Sequence, residues 1–263
     1  MSVLSAVQVN SFHQDGYVLL QQMFDSEEIN LLRRTAKSDR ELNKRSFYHD
    51  DARLSLWNHP GNSIYGMIAR CNRIVNSMEK LLDGEVYHYH SKMILKDAEA
   101  GGAWTWHQDY GYWYQNGLLF PQLASVMIAI DPATRENGCL QVLKGSHHMG
   151  RLNHVTTGEQ AGADKEKVDQ ALKHLELIHC EMAPGDALFF HCNLLHHSSQ
   201  NRSGDPRWTL ICCYNSARNN PYKESHHPSY TPLDKVDDQA IKTVGMTGFE
   251  DDDSDVAWLE PDQ

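Results

Sequence analysis

The sequence predicts an α+β or mainly β fold in which helices buttress a sandwich or barrel. Three observations carry this expectation. Helical spacing of apolar residues marks two segments in the first third of the chain. The period then changes from helical to two after Gly84. At least six short, turn-bounded apolar segments follow.

The elements follow in order. Asp15-Gly16 is a turn signal before the apolar run Tyr17–Leu20, read as a short strand. Asp25 caps a helix, with Glu28 three residues on as its capping-box partner and Ile29, Leu32 and Ala36 at helical spacing. Residues 40–60 are polar and irregular. A second, longer helix is predicted over 62–82, because Ile64, Ile68, Cys71, Val75, Met78 and Leu82 keep one face apolar. Gly84 ends it. Glu85 to Lys96 reads as a strand, with Val86, His88, His90 and Lys92 on one face. Residues 98–103 form a Gly/Ala loop. Leu123–Ile130 is a strand closed by Asp131-Pro132, and Asn137-Gly138 turns into the strand 139–143. Residues 144–146 turn again, and 151–173 is polar with room for a loose helix. Strands are expected over 175–182 and 187–190, around the turn Pro184-Gly185-Asp186, and over 208–214. Residues 216–248, rich in Asn, Pro, Ser and His, read as a long loop.

The 263 residues carry a formal charge of −11, which disfavours a nucleic-acid backbone or an anionic membrane as partner. No composition shift divides residues 1–249, so one domain is expected there. Residues 250–263 hold seven acidic residues and no Lys or Arg. They read as a solvated tail with Trp258 and Leu259 as its pinning candidates. The N-terminus lacks a basic region and an apolar core, and no apolar run reaches the ~18 residues of a membrane span. The six cysteines form no C-x-x-C pair and several lie in apolar runs. Reduced buried thiols and a cytoplasmic location are therefore expected. The unusual count is 16 histidines. Imidazole is the commonest metal ligand, so the histidines are where chemistry is sought.

Two segments concentrate it. The first is Trp106-His107-Gln108-Asp109, entering Tyr110-Gly111-Tyr112-Trp113-Tyr114. In an extended segment His107 and Asp109 point to one side and can share a metal. The second is Phe190-His191-Cys192-Asn193-Leu194-Leu195-His196-His197-Ser198. A histidine from it would complete two imidazoles and one carboxylate. That set occupies one face of an octahedral metal and leaves the other open. Arg207 follows His196 by eleven residues, and its guanidinium could hold a carboxylate in two-point fashion. His191, on an apolar strand, reads as a core histidine, and His147-His148 as loop.

These segments resemble the phytanoyl-CoA dioxygenase-like family of Fe(II)/2-oxoglutarate oxygenases. The resemblance runs over about residues 12–215, through FHQDGYVLLQQMFDSEEINLL, WHQDYGYW, ENGCLQVLKGSH, PGDALFFHCNLLHHSSQN and RWTLICCYN. It implies a double-stranded β-helix, the cupin-like jelly roll. It implies iron on His107, Asp109 and His196, and 2-oxoglutarate held by Arg207, Ser198 and Ser125. Fe(II), 2-oxoglutarate and O₂ are then the cofactors and cosubstrates, and succinate and CO₂ are released. HQDYGYW is most similar to members acting on small polar substrates, such as ectoine hydroxylases, where an aromatic residue matching Trp113 lines the pocket. A carboxylate at 109, where related halogenases carry a small residue, implies hydroxylation over halogenation.

The expected activity is hydroxylation of a small organic substrate. An amine or zwitterion, such as an amino acid derivative or aminophosphonate, would suit an aromatic wall of Tyr110 and Trp113 with Lys92 nearby. An acyl-CoA suits it poorly, because no basic cluster awaits the nucleotide phosphates. The alternatives are desaturation, epoxidation or ring formation with the same cofactors, or a non-catalytic jelly-roll binding module.

Overall fold

The computed structural model describes residues 4–49, 52–99, 102–157, 160–247 and 259. Helix α1 (Ala6–Asp15) opens it, capped by Ser5 and Gln8 in a reciprocal box. The chain leaves α1 through Gly16 at φ +86°, a left-handed conformation that favours glycine, and enters strand β1 (Tyr17–Leu20). Helix α2 (Ser26–Ser38) starts at the Asp25–Glu28 box expected from sequence. Asp39 then caps the short helix α3 (Arg40–Lys44), and strands β2 (Phe47–His49) and β3 (Ala52–Trp57) follow. The stretch expected to be irregular is therefore structured. Its strands escaped notice because β2 is three residues long and lies at the sheet edge.

The single helix expected over 62–82 is two helices, α4 (Ile64–Arg70) and α5 (Asn72–Leu81). Cys71 between them is extended and bridges to Val236. A one-residue break hardly disturbs an i, i+3, i+4 pattern, so periodicity could not reveal it. Strand β4 (Val86–Lys96) follows, then β5 (Trp104–His107), helix α6 (Asp109–Trp113) and β6 (Leu123–Ala129). Next come β7 (Leu140–Leu143), the hairpin β8 (His154–Thr157) and β9 (Gln160–Ala163), and α7 (Lys165–His174), which Asp164 caps. The last strands are β10 (Leu177–Cys180), β11 (Ala187–His191), β12 (His196–Ser198) and β13 (Arg207–Ser216). Helix α8 (Ala240–Thr247) ends a stretch that reads as loop from sequence.

Two antiparallel sheets carry the fold. The larger has the order β1-β11-β6-β13-β4-β3-β2 and the smaller β10-β7-β12-β5. Alternate residues of the larger sheet serve two cores. Val126, Phe189, Leu210 and Cys212 point outward and pack under α2, α4, α5 and α8, against Ile29, Leu32, Ile68 and Met78. Met127, Phe190, Ile211 and Cys213 point inward to Leu140 and Val142 of the smaller sheet. A jelly roll with supporting helices is thus the fold. All six cysteines are buried free thiols, as expected. Among the described residues, no helix is long and apolar enough to cross a membrane. The acidic tail lies outside the described residues except Leu259, whose N–H donates to the Leu56 carbonyl at 2.9 Å.

One register detail corrects the reading of β4. His90 faces Cys213 and His88 faces Tyr214, so Tyr89 is the extra residue of a β-bulge. The bulge reverses the alternation. Val86 packs in the outer core, whereas Tyr87 and Tyr89 lie in the inner one. His88 bonds Ser91 and the Asn58 carbonyl, away from His90 and Lys92. The four residues expected on one face are split between two.

Candidate active site

Strand β12 lies between β7 and β5, with His196 directly opposite His107. The two imidazoles stand 4.1 Å apart, centroid to centroid. The next residue, His197, points the other way and stacks on Trp106 at 4.1 Å. The β alternation thus puts His196, not its neighbour, beside His107. Asp109 arrives differently from expectation. It does not continue β5; it is the first residue of α6, after the extended N-cap Gln108. The ligand-capable atoms of His107, Asp109 and His196 all lie within 4.8 Å of one another, and all three residues are buried.

Each residue is held by a partner. The Nδ1 of His107 bonds the Thr105 carbonyl at 2.7 Å and that of His196 the Leu194 carbonyl at 2.9 Å. A carbonyl only accepts, so Nδ1 carries the proton and the Nε2 lone pair is left for a metal. Burial pushes both imidazoles below their usual pKa, which keeps them neutral. Ser125 on β6 donates to Asp109 Oδ2 at 3.2 Å, and Lys92 Nζ stands 3.7 Å from Oδ1. Burial works to lower the Lys92 ammonium, but the Asp109 carboxylate outweighs it and the pKa rises.

The turn before α6 is fixed by the side chain of Gln108. Its amide donates to the Gly150 and Asn193 carbonyls and accepts from the Leu152 N–H. The Gln108 N–H donates to His154 Nε2 at 3.1 Å. Gly111 makes room for that histidine, since a Cβ there would lie 1.8 Å from its Cε1.

A second polar cluster sits where β13 begins. Arg207 is 1% exposed, and its Nε and Nη1 have no hydrogen-bond partner; neither has the buried hydroxyl of Thr209. Across the strand pair from Arg207 is Lys96, which is fully buried. Its Nζ donates to Ser198 Oγ at 2.8 Å and to the Ser199 carbonyl at 2.6 Å. A buried guanidinium with two idle donors is costly unless an anion arrives. The cluster therefore fits a carboxylate. Ser198 joins this cluster through its bond to Lys96 and Arg207 through its place opposite Lys96, whereas Ser125 sits against Asp109. Lys96 escaped sequence reading. The signal was available, because Lys96 continues the period-two face that singled out Lys92.

The aromatic residues after Asp109 do not form one wall, because they lie on a helix instead of an extended segment. The Tyr110 hydroxyl donates to the Leu118 carbonyl within the core, and Tyr114 stacks under Arg151 at 4.4 Å. Trp113 meets Tyr89 and His90, each at 5.4 Å. His227, from the segment after β13, stacks on Tyr89 at 4.4 Å and on His90 at 4.9 Å. Pattern alone could not have brought His227 here, since its segment has no period. His191, half-buried at the end of β11, is held neutral: burial lowers its pKa to about 3, and its Nδ1 accepts the Asn193 N–H. His147 and His148 lie in a short 3-10 turn over Ser146–Met149.

The family model of phytanoyl-CoA dioxygenase (PhyH) matches residues 2–209. The chain is 31% identical over 191 residues to L-proline trans-4-hydroxylase of Streptomyces griseoviridis, covering 66% of this chain and 70% of that one. It is 28% identical over 269 aligned positions to the ectoine dioxygenase of Bordetella parapertussis, covering 92% and 85%. The crystal structure of EctD from S. alaskensis with 2-oxoglutarate and 5-hydroxyectoine superposes with a TM-score of 0.72 at 22% identity. It covers 92% of this chain and 87% of that one, and shares the fold.

Proposed function

Since the chain belongs to the phytanoyl-CoA dioxygenase family, we propose that it is an Fe(II)- and 2-oxoglutarate-dependent dioxygenase that hydroxylates a small organic molecule. The balance is one substrate C–H, one O₂ and one 2-oxoglutarate giving one alcohol, one succinate and one CO₂. The relatives named for proline and ectoine act on small molecules, which supports a substrate of that size.

The observation that carries the proposal is the meeting of two neutral imidazoles and one carboxylate in a chain that also buries a partnerless guanidinium at the start of β13. In this proposal His107, Asp109 and His196 hold the iron, which when bound supplies the O₂ chemistry. The chain's own residues do the rest. Thr105 and Leu194 carbonyls fix the imidazole tautomers. Ser125 and Lys92 orient the Asp109 carboxylate. Arg207 and Ser198 take the distal carboxylate of 2-oxoglutarate, which aims its oxo-acid end at the metal. Trp113, Tyr89, His90 and His227 form a packed aromatic cluster near Lys92, and the two sheets exclude water. Lys92 is the polar group by which that cluster could orient a charged substrate.

Succinate release from 2-oxoglutarate with Fe(II) tests this. We expect the parent protein to turn over slowly without substrate, and His107→Ala and Arg207→Ala to abolish that turnover. A parent that neither binds 2-oxoglutarate nor releases succinate with any small amine or amino acid would favour a binding module instead.

A further inference from the structure

We propose that Ser146 is a positioning residue for the metal centre, acting on His196 through the single peptide group between Leu194 and Leu195. The inference rests on the functional reading above and deepens it.

The imidazole of His196 is aimed by the Leu194 carbonyl, which its Nδ1 meets at 2.9 Å. That carbonyl lies outside the sheet, since β12 begins only at His196. The other end of the same peptide group is the Leu195 N–H, and it donates to Ser146 Oγ at 2.8 Å. Ser146, Leu194 and Leu195 are all fully buried. Hydrogen bonds in series polarise one another by roughly 10–30% each, so an amide with its N–H engaged is a better acceptor at its carbonyl. Ser146 therefore fixes both the plane and the basicity of the group that holds the imidazole.

The serine is itself held from α1. The last carbonyls of a helix have no partner within it, and the turn after β7 supplies partners here. The Gly145 N–H donates to the Asp15 carbonyl at 2.8 Å. His147 Nε2 donates to that of His13 at 3.0 Å and His148 Nε2 to that of Gln14 at 3.3 Å. At the end of β7 the Leu143 N–H donates to the Leu195 carbonyl at 3.0 Å. Residues 143–148 thus grip α1 on one side and the approach to His196 on the other. In sequence Ser146 is one residue of a turn, and a turn does not by itself require a buried hydroxyl.

A merely structural Ser146 would affect the stability of the chain and treat both imidazoles alike. Proton NMR of the Co(II)-loaded full chain separates the two roles. Wild type should show two exchangeable hyperfine-shifted imidazole protons, on Nδ1 of His107 and of His196. Ser146→Ala leaves the Leu195 N–H buried without an acceptor. It should speed solvent exchange of one of these protons, leave the other unchanged, and weaken Co(II) about tenfold, the lower end for outer partners of a metal ligand. Val168→Ala is the control, because Val168 packs in the same apolar cluster as Leu195. It should lower stability in urea and leave both protons and the Co(II) affinity as in wild type. Should Ser146→Ala not fold, wild type alone decides: on Zn(II) loading its Leu195 amide proton should move downfield, as polarisation through the peptide requires.

Unchanged exchange of both protons in Ser146→Ala, equal changes in the two, or the same pattern in Val168→Ala overturns the inference alone. So does a Leu195 amide proton that Zn(II) leaves in place, where the variant does not fold. Failure of wild type to bind Co(II) through two imidazoles overturns the functional reading and this inference with it.

Discussion

At the scale of single residues, the site is a set of buried polar groups with unequal satisfaction. Gln108 is fully buried and fully bonded. Gln108→Ala would leave the Leu152 N–H and two carbonyls without partners, at a cost of about 2–4 kcal/mol in urea unfolding. Arg207 is the opposite case. Burial lowers its pKa only to about 10, so it stays charged, with two donors idle. Arg207→Met removes that penalty. We expect the ligand-free protein to gain about 1–3 kcal/mol while losing all thermal stabilisation by 2-oxoglutarate. Thermal melts with and without the ligand check both halves; a destabilised variant would contradict the account. His107, Asp109 and His196 were legible as a spacing before Arg207. Lys96 was equally present in the chain, but a lysine at a strand end usually reaches solvent. Its pairing with β13 and its bonds to the end of β12 bury it.

At the scale of elements, two joints aim the side chains. One is the bulge at Tyr89, which turns His88 outward while His90 and Lys92 face the site. The other is the step from β5 into α6. Sequence placed His107 and Asp109 on the same side by strand alternation, yet they converge across a helix start. Gly111 and His154 hold that start in place. In Gly111→Ala the new Cβ displaces His154 and frees the Gln108 N–H, shifting Asp109. Metal affinity should fall about 10- to 100-fold with circular dichroism unchanged, a scale expected for partners of metal ligands. Unchanged Mn(II) affinity in a titration would exclude this role for His154. Elsewhere local rules sufficed: the Asp25–Glu28 box starts α2 where the residue types require it.

At the scale of the whole molecule, burial of so many imidazoles and thiols links stability to pH. Burial lowers His88, His191 and His227 to about 3, against 6.5 for the free side chain. As pH falls below 6.5, the unfolded chain binds protons that the native chain refuses, so stability falls. Each histidine contributes up to about 1.4 kcal/mol per pH unit. Burial raises Cys71, Cys180, Cys212 and Cys213 to about 12. Above pH 9 the unfolded thiols lose protons that the native ones keep, and stability falls again. Urea unfolding of the metal-free chain should therefore peak between about pH 7 and 9. A flat profile from about pH 5.5 to 7.5 would refute the neutral burial of these histidines.

What the sequence determined by itself was local in origin. Helix caps, turn residues and period-two strands depend on near neighbours, so Asp25, Gly16, Gly84 and the strand 208–214 were readable without a fold. The family resemblance extended this to a ligand set and a cosubstrate. The tertiary structure decided everything that depends on pairing across long separations. The register of β12 with β5 selects His196 over His197. The pairing of β13 with β4 brings Lys96 to Arg207, and the return of the chain after β13 puts His227 on Tyr89. Such contacts join residues about 100 positions apart, and no periodicity along one strand encodes which strand will lie beside it.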